Sequence, residues 1–308
     1  METSRNLAPI ALFVYNRPGH TQQTIEALKK NELSGQSTLI IFSDGPKNES
    51  SKEEVEAVRN YLKTITGFAQ IRVVEQSENL GLANSIISGV SKIVNEFGKI
   101  IVLEDDLITS PYFLKYMNDG LDLYKNNEDV VSIHGYIYPI KERLPETFFI
   151  KGADCWGWAT WDRAWKIFEP DGKKLLTALK KRKSMKEFDF GGTYPFTMML
   201  ENQIMGINNS WAIRWNASAF LANKLTLYPG LSLVRNIGMD LSGANCEETN
   251  IYDSELTSRP IMVYRQEMTE DLNAKGLVAT ALAKTGLNSL KHRSKFIVRK
   301  LLFKLKLG

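Results

Sequence analysis

Before Pro111 the chain alternates short apolar runs with amphipathic stretches four times, and few folds accept that rhythm. Residues 9–15, 38–42, 70–75 and 100–103 read as strands bounded by turn chemistry such as Asn16-Arg17-Pro18-Gly19 and Ser43-Asp44-Gly45-Pro46. Between them, residues 21–30, 51–64 and 80–97 carry apolar side chains at helical spacing, for example Val55, Val58 and Leu62 or Ile86, Val90 and Ile93. Strand and helix in alternation predict an α/β fold with a mostly parallel sheet flanked by helices. The run Ile100 to Leu103 has no polar position, which suits a strand covered on both faces. Sheets of this kind bind ligands outside the carboxyl ends of their strands.

Glu104, Asp105 and Asp106 follow that run at once. Adjacent carboxylates repel, and a fold keeps them together mainly when a cation neutralises them. Hard oxygen ligands favour Mg²⁺ or Mn²⁺, ions that bridge to phosphates. A solvated acidic turn ahead of Ser110-Pro111 is the plainer alternative, and the wholly apolar strand in front of the acids argues against it. The other three strand ends deliver Asn16-Arg17, Asp44-Gly45 and Glu75 to Asn79. Arg17 can hold a phosphate through its fork, and Asp44 can accept from a base N–H or a ribose hydroxyl. Asn79, Gly81 and Asn84 bring close backbone approach and amides to a helix start. Taken singly these are ordinary turns and caps; gathered on one edge they fit a nucleotide diphosphate.

The charge is uneven. Of the formal +4, Lys291, Arg293, Lys295, Arg299, Lys300, Lys304 and Lys306 fall in residues 288–308 with no acid beside them, so the rest is slightly acidic and offers no nucleic-acid face. Leu290, Ile297, Val298, Leu301 and Leu305 share a helical face there, a pattern suited to an anionic membrane surface. The expected organisation is one domain over residues 1–265 and a basic amphipathic tail over 266–308. Cys155 and Cys246 make no disulfide framework. No signal peptide or spanning run occurs, so a cytoplasmic protein, peripheral at the inner face of the membrane, is expected. His20, His134 and His292 are too scattered to suggest a triad or a zinc site.

Asn16-Arg17-Pro18, the Asp44 turn, Glu78-Asn-Leu-Gly-Leu-Ala-Asn84 and the acidic triplet resemble the metal-dependent glycosyltransferases of the GT-A fold. The triplet with Leu-Ile-Thr-Ser-Pro-Tyr-Phe behind it is similar to the N-acetylglucosaminyltransferase I branch and to bacterial surface-polysaccharide transferases, and the resemblance covers roughly residues 8 to 250. It implies inverting transfer from a nucleotide sugar, most often a UDP-sugar, to a glycan or lipid-linked acceptor. Asp106 would ligate the metal, while Glu104 and Asp105 would hold its waters or the ribose. Gly157-Trp158-Ala-Thr160 looks like the acceptor loop, making Trp156, Trp158 and Trp161 candidates for sugar stacking, with core packing equally open to them. Trp211, within Asn209-Ser-Trp-Ala-Ile-Arg-Trp215, also looks familial.

Two departures stand out. Relatives tend to carry an acid just before the Ser-Trp, where this chain has Asn208 and Asn209, and a histidine where Asn245 stands. An amide takes no proton from a hydroxyl. Either Glu201, Asp154 or Asp162 substitutes as base, or the chain is a degenerate nucleotide-sugar-binding protein. A sugar nucleotidyltransferase is disfavoured by the lack of a glycine-rich loop after the first strand, and a dinucleotide-binding dehydrogenase by the lack of Gly-x-Gly-x-x-Gly.

Overall fold

The computed structural model describes residues 6–240, 250–287, 294 and 296. Ile10–Val14 (β1) is buried along its whole length, and Pro18–Lys29 (α1) follows. The helix begins earlier than its apolar spacing indicates, because Pro18 occupies its first turn, where a missing N–H costs nothing. Thr38–Ser43 (β2), Lys52–Leu62 (α2) and Gln70–Glu75 (β3) repeat the unit. Leu82–Phe97 (α3) starts two residues later than expected, since Gly81 ahead of it sits at φ +73°, outside helical space. Lys99–Glu104 (β4) carries the first acid of the triplet as its last residue.

Leu107–Thr109 (β5), Phe113–Leu123 (α4), Val130–His134 (β6), Thr147–Lys151 (β7) and Trp158–Trp161 (β8) continue the chain. Asp162–Trp165 (α5), Gly172–Lys181 (α6), Met185–Phe188 (α7), Phe196–Ile204 (α8) and Trp211–Leu221 (α9) form the helical side. Leu225–Pro229 (β9), Val234–Asn236 (β10) and Leu272–Ala283 (α10) complete it. β10 begins at Val234, where pairing with Thr109 of β5 becomes available.

Eight strands make one sheet in the order β3-β2-β1-β4-β8-β6-β9-β7. The four strands read from the alternation are neighbours and parallel. The other half is mixed: β8 runs antiparallel to both β4 and β6, and β7 antiparallel to β9. β5 and β10 pair as a small separate ribbon beside the acids. The main core lies around β1, β2, β4, α3 and α4. In a second cluster, Ala274, Val278 and Leu282 of α10 pack with Ile137, Phe148, Ile150 and Tyr228. The basic face predicted over 288–308 lies outside the described residues apart from Ser294 and Phe296.

Candidate active site

The order β3-β2-β1-β4 places the ends of four neighbouring parallel strands side by side. Asn16 and Arg17 leave β1, Asp44 leaves β2, and the acids leave β4. Arg17 lies over the triplet, its Nη2 donating to Asp106 Oδ2 at 2.9 Å and also to Asp105 Oδ1. All three side chains are largely buried, at 18%, 6% and 10% exposure for Arg17, Asp105 and Asp106. Two carboxylates thus converge on one positive group. The backbone fixes them further: Asp105 O accepts from Thr24 Oγ1 at 2.8 Å, and Asp106 O from Ile237 N at 2.8 Å.

Electrostatics follow from this burial. Glu104 is pushed up to about 8 by burial and then by Asp106 and Asp105. Asp105 rises to about 6, burial and Asp106 outweighing the opposing pull of Arg17. For Arg17, burial works against the charge, and Asp105 and Asp106 overcome it and hold the guanidinium protonated.

Asp44 is put to another use than accepting from a ligand. Its Oδ1 accepts from the N–H of Gly45 at 2.9 Å and of Leu80 at 2.8 Å; its Oδ2 accepts from Gly81 N at 2.9 Å and Asn79 Nδ2 at 3.1 Å. That fills the four acceptor positions of a carboxylate and clamps the turn before α3. Gly45 is obligatory because a Cβ there would stand 2.5 Å from the carbonyl carbon of Glu78. Asn79 also donates to Gly45 O, and the exposed Asn84 donates to Leu80 O.

The tryptophans correct an expectation. Trp158 is fully buried and Trp211 nearly so; they stack at 5.3 Å, with Trp215 at 6.0 Å from Trp158. β8 lies inside the sheet between β4 and β6, so its side chains meet helices rather than solvent. Neither residue offers a face to a sugar. Trp161 is likewise buried, its Nε1 donating to Leu121 O. Only Trp156, partly buried, reaches a cavity.

That cavity has a volume of about 590 Å³. Aromatic residues dominate its wall, among them Tyr136, Tyr138, Trp156, Tyr194, Tyr228 and Tyr252. Burial raises the phenols of Tyr138, Tyr194 and Tyr228, and the thiol of Cys155, well above their ordinary values, so they stay protonated. Glu201 and Asn209 are not among its lining residues; α8 contributes Met198, Met199 and Asn202 instead, and Asn209 Oδ1 accepts from Arg214 at 3.4 Å. Asp154 is the carboxylate among the described lining residues. Nothing in the spacing of the chain marks the five tyrosines, which come from four separate segments. Among the described residues no three His, Cys, Asp or Glu side chains form a metal-binding group.

A half-parallel α/β sheet whose carboxyl edge gathers an acidic triplet, a basic fork and a helix start defines the GT-A class of nucleotide-sugar glycosyltransferases. The profile of Glycosyl transferase family 2 matches residues 10–176, more than half of the chain. The chain belongs to that family of glycosyltransferases. No curated protein matches it. Solved structures resemble it remotely. A mannosyltransferase from Pyrobaculum calidifontis, in complex with GDP-Man and Mn²⁺, is 11% identical with a TM-score of 0.32 over 43% of this chain and 36% of its own. S. aureus TarS is 13% identical with a TM-score of 0.31, over 47% of this chain and 24% of its own. A UDP-glucose pyrophosphorylase complexed with UDP-glucose is 12% identical with a TM-score of 0.38, over 73% of this chain and 91% of its own. The chain therefore spans well under two thirds of the first two.

Proposed function

We propose that this glycosyltransferase is an inverting, divalent-metal-dependent enzyme of the N-acetylglucosaminyltransferase I-like branch. It takes sugar from a UDP-sugar and passes it to a glycan or lipid-linked glycan, as in bacterial polysaccharide assembly. One observation carries the reading: Asp105 and Asp106, buried at a strand exit, converge on a single cation, here the Arg17 guanidinium. Hard oxygens aimed at one positive point suit Mg²⁺ or Mn²⁺, which bind through one or two carboxylates and complete their shell with phosphates and water. Asp106 would hold that ion, with Glu104 and Asp105 toward its waters or the ribose. When bound, the ion would stabilise charge on the departing diphosphate.

The chain's own residues do the rest. Arg17 has the fork to hold a phosphate when an ion takes over the acids. Asn16 and the helix start at Asn79, Gly81 and Asn84 border the nucleotide, and Asp44 acts by holding their turn in shape. The division into a catalytic domain over 1–265 and a tail over 266–308, and attachment of that tail to an anionic membrane, belong to the same reading. Among the described residues no helix is long and apolar enough to cross a membrane.

Asp106→Ala tests the proposal. UDP binding that depends on Mn²⁺ in the wild type should disappear while the melting profile survives. Equal UDP affinity in the variant, or in wild type with chelator, refutes it.

A further inference from the structure

We infer that Asp154 is the group that takes the proton from the acceptor hydroxyl, inside an aromatic chamber shaped for a neutral sugar; this rests on the transferase reading above. Asp154 lies on the loop between β7 and β8 and is half-buried, its side chain 26% exposed. Its Oδ1 accepts from Cys155 N at 2.8 Å and its Oδ2 from the Tyr138 hydroxyl at 3.3 Å, which fixes the carboxylate and leaves a lone pair on each oxygen. Behind it stands His134, wholly buried, 3.6 Å from Oδ2, with no hydrogen-bond partner on either ring nitrogen. Burial lowers the imidazole's pKa, so it stays neutral and supplies no counter-charge that would hold Asp154 as a salt bridge.

Position links this carboxylate to the acids. Cys155, next in the chain, feels the charges of Asp154, Glu104 and Asp106 together. Gly238 presses on the ion pair, since a Cβ there would lie 2.1 Å from Asp106 Oδ2 and 3.0 Å from Arg17 Nη1 and would displace those side-chain ends. The next residue, Met239, already lines the chamber. The chamber and the acidic edge are therefore adjoining compartments, as a transfer between two substrates requires. Trp156, 4.7 Å from Tyr136 and 5.6 Å from Tyr252, supplies aromatic faces for sugar C–H surfaces. Lys151, the cation among the described lining residues, is already paired at 3.5 Å with Glu187 and so holds no free charge for an anionic acceptor.

The step balances without a further reactant. The acceptor O–H proton passes to Asp154, and the oxygen's electron pair forms the new bond to the anomeric carbon. The bond from that carbon to the diphosphate oxygen breaks, its pair leaving with the nucleoside diphosphate.

Asp154→Asn keeps the shape and removes the base. With UDP-glucose, UDP-N-acetylglucosamine and UDP-galactose as donors, and octyl glucoside or water as acceptor, UDP release is the readout. Release should fall by about 10²-fold or more, with UDP affinity changed less than about threefold. Asp154→Glu, which restores a carboxylate, should recover at least about tenfold of that loss, whereas Glu201→Gln should stay within about threefold of wild type. Wild-type release from Asp154→Asn, or no recovery with glutamate, overturns the assignment. So does a wild type that binds UDP yet releases none from any donor, although it spares the nucleotide site. A wild type that binds no UDP overturns the transferase reading itself.

Discussion

Asp44→Ala should destabilise the protein by about 3 kcal/mol, through the loop ahead of α3 rather than through any ligand. Four donors converge on this carboxylate at 2.8–3.1 Å, three of them backbone N–H groups of Gly45, Leu80 and Gly81. A hydrogen bond to a charged acceptor contributes about 1.5–3 kcal/mol when water cannot replace it. Asp44 is 6% exposed, but Leu80 is 38% exposed, so water can reach part of the turn in the variant. Discounting each of the four bonds to just under ~1 kcal/mol, because water replaces part of it, gives about 3 kcal/mol, a large share of the ~5–15 kcal/mol that holds a typical domain together. Urea unfolding followed by circular dichroism measures the loss as a lower midpoint at unchanged slope. UDP affinity should fall as well, because Asn79 and Gly81 lose their anchor. An Asp44→Ala protein within about 1 kcal/mol of wild type that nonetheless fails to bind UDP would refute the clamp and make Asp44 a direct ligand contact.

Glu104 makes the metal-free protein sensitive to pH. Its folded-state pKa of about 8 stands above the ordinary 4.5, so the folded state holds a proton that the unfolded chain has released. Its stabilising contribution is complete below the ordinary value and is lost as pH rises toward 8; Asp105, raised to about 6, adds to the slope in the lower half of that window. Melts in chelator should therefore weaken from about pH 5 to about pH 8, and Glu104→Gln should flatten the decline; an unchanged slope in that variant overturns the argument. For the tail, sedimentation with anionic vesicles should be strong for the full chain at low salt and weak after truncation at Asn288. Equal sedimentation of both would make the basic face ordinary structure.

Local rules carried the parallel half of the sheet. β1, β2 and β4 are built on continuous apolar runs and β3 on a shorter mixed one, separated by helices with clear stripes, and each junction has its own turn chemistry, so neighbouring residues alone announce them. The place of Arg17, Asp44 and the acids on one edge followed from the same pattern, because a parallel sheet sends all its strand ends to one side. Boundaries moved by only a few residues, for reasons as local as Pro18 in the first turn of α1 and Gly81 at positive φ.

Partners were another matter. That Arg17 neutralises Asp105 and Asp106, across 88 and 89 residues of chain, depends on β1 lying beside β4. Whether Trp158 meets a sugar or the core depends on β8 inserting between β4 and β6, an antiparallel choice that no repeat in the sequence encodes. The chamber around Asp154 takes its walls from the loops after β6 and β7, the turn before α8, β9, the segment at Tyr252 and α10. Sequence alone determined the residue types, the strand and helix periods and the edge where acids collect, since those properties belong to consecutive residues. Only the tertiary structure decided which side chains face one another, because burial and pairing are set by packing between segments far apart in the chain.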